Sequence, residues 1–127
     1  MDKILAEISA GELIDKITIL EIKKEKIINK EKLVEVNKEL MSLNKTLEKS
    51  INDESKILNF KNDLKNVNLK LWDIEDGKRL AEKNSQFNEK FIELARNVYK
   101  FNDERSKIKL AINNALGSNI KEVKSYE

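Results

Sequence analysis

A chain of 127 residues is read as one domain, 1–127, and its 25 Lys plus Arg stand interleaved with 23 Asp plus Glu, so there is no basic block of the kind with which a nucleic-acid binder displaces counterions, and nucleic acid is not the expected partner, although a helix could still sort its charges by face. Cysteine and histidine are both absent, which excludes disulfides, thiolate or imidazole zinc sites, Cys nucleophiles and Ser-His-Asp relays. No apolar stretch approaches the ~20 residues needed to span a bilayer, and the first residues carry Asp2 and Glu7 rather than a basic-then-apolar leader, so a cytoplasmic protein without a membrane partner is expected.

Proline is absent and glycine occurs only at 11, 77 and 117, so apolar spacing can be followed over long stretches. The first helix opens at a capping box, in which Ser9 accepts from the Glu12 amide and the Glu12 carboxylate reaches back. Leu13, Ile14, Ile17 and Leu20 form one apolar face, and Ile19 and Ile22 lie off it, which predicts a helix buried on two sides. After a turn at Asn29 and Lys30, Leu33, Val36, Leu40, Leu43 and Leu47 recur at alternating steps of three and four and define a second helix to Lys49. Asn52 or Asp53 can cap the next. The third helix carries the same alternation at Ile57, Phe60, Leu64, Val67, Leu71 and Ile74, and ends at the polar spacer around Asn84 and Ser85. Within it, Gly77 is read as a tolerated kink. The fourth helix runs from Phe87 through Phe91, Leu94, Val98, Phe101, Arg105, Ile108 and Ile112 to a stop at Gly117, with one charged residue, Arg105, on an otherwise apolar seam.

Short links make consecutive helices antiparallel neighbours. The expected fold is therefore all-α: an antiparallel bundle of about four helices, assembled from two hairpins. The third and fourth helices would each be about 40 Å long at roughly 1.5 Å per residue and would overhang the first two, which favours a homodimer. Residues 3–8 and 120–126 alternate weakly, as a small paired strand would.

Beside the seam of the third helix runs a second line, Asn68, Trp72, Glu75, Arg79 and Glu82, and the fourth helix carries Arg96, Tyr99, Asn102 and Asp103 beside Arg105. In a chain so rich in Lys, the three Arg are expected where a flat bidentate donor is needed. One reading makes Arg105 half of a buried ion pair with a carboxylate from another helix. The other makes Trp72, Glu75, Arg79, Arg96, Tyr99, Asn102, Asp103 and Arg105 a site for a phosphate- or carboxylate-bearing small molecule or a protein partner, with Trp72 or Tyr99 as a stacking wall.

Two further functions stay open at this level. Glu12 and Asp15 make an E-x-x-D pair that, with Glu75 and Asp76, could hold magnesium, as in all-α nucleotide pyrophosphohydrolases; a Mg-dependent nucleotide or sugar-phosphate hydrolase follows. A structural coiled-coil adaptor is the third reading, and in it Arg105→Leu would raise stability.

The segments GELIDKITILEIK at 11–23, LWDIED at 71–76, FIELARNVYKFNDERSKIK at 91–109 and GSNIKEVKSY at 117–126 together resemble a bacterial and phage family, the domain of unknown function numbered 6165. The resemblance spans nearly the whole chain and implies no reaction, cofactor or catalytic residue. It places motif residues on the helices named above: Glu12, Asp15, Lys16, Glu75, Asp76, Arg96, Tyr99, Asn102, Asp103 and Arg105. Lys24 and Gly77 depart from the family pattern, which argues against a role for either.

Overall fold

A computed structural model describes residues 1–125 and contains four α-helices: α1 (Ala10–Lys26), α2 (Lys30–Ser50), α3 (Leu58–Lys83) and α4 (Glu89–Leu116), with a short 3-10 turn at Glu54–Lys56. Local chemistry sets most of the boundaries. Ser9 Oγ accepts from the Glu12 amide at 3.1 Å, Asn29 Oδ1 from Lys32 at 3.0 Å and Asn88 Oδ1 from Phe91 at 3.3 Å, each relieving one of the unpaired donors of a first turn. Asp53 caps the 3-10 turn through Ser55, and α3 follows that turn without a side-chain cap of its own. At the end of α4, Gly117 takes φ +64°, and the Ser118 amide returns to the Asn113 carbonyl at 2.8 Å, a Schellman closure.

The end of α3 uses the same device without glycine. Ser85 stands at φ +53°, and the Gln86 amide reaches the Ala81 carbonyl at 2.8 Å. The helix runs unbroken through Gly77. A Cβ at that position would stand 3.2 Å from Leu94 Cδ1, so α4 packs closely on the glycine.

Two-sided burial of α1 organises the fold. This helix packs on α2, α3 and α4, whereas the backbone of α2 comes close only to α1. The arrangement is therefore a three-helix packing of α1, α3 and α4 with α2 laid on the outer side of α1. Ile14, Ile17, Leu64 and Ile112 are at most 1 % exposed and meet in the core, joined by Leu13, Leu20, Val36, Leu40, Leu47 and Ile57. Burying each such aliphatic side chain contributes about 1.5–3 kcal/mol against chain entropy. Among the described residues no strand forms at either terminus; Asn119 Nδ2 donates to Glu7 Oε1 at 2.6 Å and ties the two segments by side chains, and Tyr126 lies outside the described residues. No helix among the described residues is long and apolar enough to cross a membrane.

Past Ile74 the α3–α4 hairpin leaves the core. No residue between Ile74 and Lys109 is buried, so the outer part of this hairpin is an arm of two helices packed on each other alone.

Candidate functional site

Three side chains from two helices converge on one buried carboxylate. Asp15, in the second turn of α1, is 0 % exposed. Arg105 of α4 donates to it through two nitrogens, Nε to Oδ1 at 2.9 Å and Nη2 to Oδ2. Asn68 of α3 donates from Nδ2 to the same Oδ1 and to Thr18 Oγ1, both at 2.9 Å, and the Thr18 hydroxyl donates to the Asp15 carbonyl at 2.7 Å. Lys109 Nζ stands 4.0 Å from Oδ2. A carboxylate taken out of water needs this density of donors, because an unpaired charge at such a position costs several kcal/mol. The hydrogen bonds to Asp15 hold the Arg105 guanidinium pKa above its ordinary value.

One turn further along α4, burial works against the Lys109 ammonium, but hydrogen bonds to Glu12 at 2.6 Å and Glu122 at 3.0 Å, with the charge of Asp15, outweigh it and leave its pKa raised. Glu12 thus directs its carboxylate to Lys109, and to Lys16 at 3.7 Å, instead of closing the predicted capping box. The next contact is backbone to side chain: the Gly11 amide donates to Asn113 Oδ1 at 2.6 Å, and the Ala10 amide donates to Ser118 Oγ at 3.1 Å. A Cβ on Gly11 would lie 2.5 Å from the Lys109 carbonyl oxygen, so only glycine admits this approach. The pairs Gly11–Asn113, Glu12–Lys109 and Asp15–Arg105 run in opposite chain directions and fix α1 antiparallel to α4.

Arg105 has a second face. It lines a cleft of about 600 Å³ with Asn68, Trp72, Glu75, Asp76, Arg79 and Asn102, over apolar walls from Ile19, Ile22 and Leu71. A guanidinium bound side-on through Nε and Nη2 keeps the fork between Nη1 and Nη2 free for another acceptor. The buried carboxylate therefore orients the arginine without using all of its donors, and the Arg105 side chain is still 28 % exposed.

Five of the eight residues expected to form the ligand site, Trp72, Glu75, Arg79, Asn102 and Arg105, line this cleft together. Arg96 and Tyr99 lie outside it, exposed on the arm, and Asp103 borders a separate groove against the carboxyl-terminal segment with Ser106 and Lys121. The four acids read as a magnesium set do not gather. Glu12 and Asp15 are held by Lys109 and Arg105, Glu75 and Asp76 line the cleft, and among the described residues no three His, Cys, Asp or Glu side chains are placed to hold an ion. Sequence reasoning missed Thr18, Lys109, Asn113 and Glu122. Asn113 carried a signal, as a polar residue eight positions after Arg105 in an apolar stretch; Lys109, one lysine among many, carried none.

The family model described as Family of unknown function (DUF6165) matches residues 4–127, and the chain belongs to that family. No curated protein and no solved structure matches it.

Proposed function

We propose that this member of a family without an assigned function is a binding module, and that the α1–α3–α4 cleft takes a small molecule bearing a phosphate or carboxylate together with hydroxyl groups. The observation that carries the reading is Arg105: a guanidinium oriented by a fully buried carboxylate, with a free fork, on the wall of a cleft that also holds Arg79 and the only tryptophan. Preorganised donors bind anions with little ordering cost, which is the advantage of Arg over a mobile lysine. The charge of Arg105 is already matched by Asp15, so the ligand anion is shared between its free fork and Arg79. The carboxyl oxygens of Glu75 and Asp76 are acceptors that suit the hydroxyls of a sugar or ribose, and Trp72 with Ile19, Ile22 and Leu71 offers a wall for the ring. The reading keeps the cytosolic setting expected from composition, a compartment rich in phosphorylated metabolites.

Trp72 makes the test direct, since its emission reports the cleft alone. Inorganic phosphate, nucleoside phosphates, sugar phosphates and sugar nucleotides are titrated against Trp72 fluorescence and against thermal unfolding. A true ligand quenches or shifts the emission and stabilises the fold by about 2.7 kcal/mol at a hundredfold excess over Kd, and both effects are lost in Arg79→Gln and weakened in Arg105→Lys. A panel in which no compound moves either signal refutes the reading.

A further inference from the structure

We infer that the α3–α4 arm is the dimerisation element of the protein and that the face continuing outward from the cleft is covered by the arm of a second copy. Surface area motivates the inference. The chain exposes 9429 Å², whereas a compact monomer of 14.8 kDa exposes about 7,000 Å². The segments 1–8 and 119–125, the outer side of α2 and the arm are all exposed and share this surplus. A standard interface needs only about 800 Å² per partner, so the surplus leaves ample room for a stable dimer.

The helical register shows which face is bare. On α4 a single line runs Asn113, Lys109, Ser106, Asn102, Tyr99, Ala95, Ile92 at alternating steps of four and three. Its inner part is covered by α1: Gly11 meets Asn113, Glu12 meets Lys109, and Asn102 shares the cleft with Ile19 and Ile22. Beyond Asn102 the same line changes from polar to Ile92, Ala95 and Tyr99, and nothing covers it: Ile92 is 48 % exposed and Tyr99 59 %. The apolar residues thus begin beyond Asn102, the outermost residue of this line that shares a cleft with α1, and the outer half of the line is bare.

A second copy fits that bare half better than a foreign helix because the stripe is self-complementary. About a two-fold axis at Ala95 with the helices antiparallel, Ile92 of one chain stands against the partner's Tyr99 and the reverse, and the small alanine at the centre allows close approach. The outer part of α4 carries both signs, Glu89 and Glu93 among Lys90, Arg96 and Lys100, so two copies do not present each other a face of one sign. Two arms packed this way form a local four-helix bundle, which gives the two-helix arm the tertiary packing from which helices draw most of their stability. Because Arg79 and Tyr99 lie one turn outward from Glu75 and Asn102 on their helices, the partner arm would also stand at the outer end of the cleft.

The test is independent of any ligand. Light scattering after size exclusion should give twice 14.8 kDa for the native chain, and single substitutions Ile92→Glu and Tyr99→Glu should return it to 14.8 kDa. Because both side chains are exposed within the monomer, helical circular dichroism should be kept. Since the native sequence has no cysteine, Ala95→Cys should cross-link into a disulfide dimer on mild oxidation, while Glu48→Cys on exposed α2 should not. The cross-link keeps the proposal testable if a glutamate variant unfolds. A native chain that remains monomeric up to about 100 μM, where a Kd of about 1 μM would leave nearly all chains paired, overturns the inference. So does a dimer that survives both glutamates and leaves Ala95→Cys uncross-linked.

Discussion

Replacing Arg105 with leucine tests the ion pair at the centre of this fold. The substitution fits the apolar seam of α4, but it removes both charge-assisted hydrogen bonds to a carboxylate that is 0 % exposed. Breaking a buried pair from one side costs about 3–5 kcal/mol. The lower end applies here, because Asn68 still donates at 2.9 Å and Lys109 stays 4.0 Å away. About 3 kcal/mol corresponds to a fall in Tm of roughly 10 °C for a domain of this size. Urea and thermal unfolding followed by helical circular dichroism at neutral pH provide the measurement, in a cycle with Asp15→Leu and the double variant. The double variant removes the buried charge together with its partner, and Thr18 still accepts from Asn68, so it should recover most of the loss and give a coupling of about 2–3 kcal/mol. An Arg105→Leu protein as stable as the native chain, or more so, would refute this reasoning and restore the adaptor reading, in which the pair serves register alone.

Three smaller perturbations follow from single contacts. Gly11→Ala places a Cβ 2.5 Å from the Lys109 carbonyl and should force α1 and α4 apart at a cost of about 2–3 kcal/mol, read as a lower urea midpoint with unchanged helix content in the native baseline. Ser85→Gly relieves the left-handed backbone at the end of α3 and should raise stability by about 0.5 kcal/mol after the extra chain entropy of glycine, measured by thermal unfolding. Glu122 has its pKa lowered by the Lys109 hydrogen bond, so its contribution is present above the unfolded carboxylate value and is lost as pH falls through the lower folded value. Glu122→Gln should therefore cost a few tenths of a kcal/mol at neutral pH, small because the group is half exposed, and the difference from the native protein should close in acid; a difference that persists or grows there counts against the pairing.

Most of the helical layout was legible because it rests on local rules. Ser9 opens the capping motif of α1, Asn29 marks the turn before α2, Gly117 supplies the left-handed stop, and the steps of three and four through Leu33–Leu47 and Ile57–Ile74 mark the packed faces, whereas α4 starts after its Asn88 cap and not at Phe87, where the apolar seam begins. The short link after α1 placed α2 beside that helix, as it stands in the fold, but periodicity says that a face is buried without saying how many neighbours cover it, and only the tertiary structure shows that the α2 backbone comes close to α1 alone. Gly77 shows the same limit: the missing Cβ was visible, and the Leu94 side chain packed against it was not.

Arg105 divides the two kinds of information most sharply. As the one charged residue on an apolar seam it was conspicuous, since spacing is a property of neighbours along the chain. Its partner was one of 23 acids, and the one local pattern that marked Asp15, the E-x-x-D pair with Glu12, pointed to a metal and not to Arg105. Only the close approach of α1 and α4 at Gly11, which sets Glu12 on Lys109 and Asp15 on Arg105 in one register, decided the pairing and left the free edge of the guanidinium on the wall of a cleft. Sequence determined the helices and singled out the unusual side chain; the tertiary approach of two segments about ninety residues apart determined what that side chain meets, because the cost of a buried charge is set in space and not along the chain.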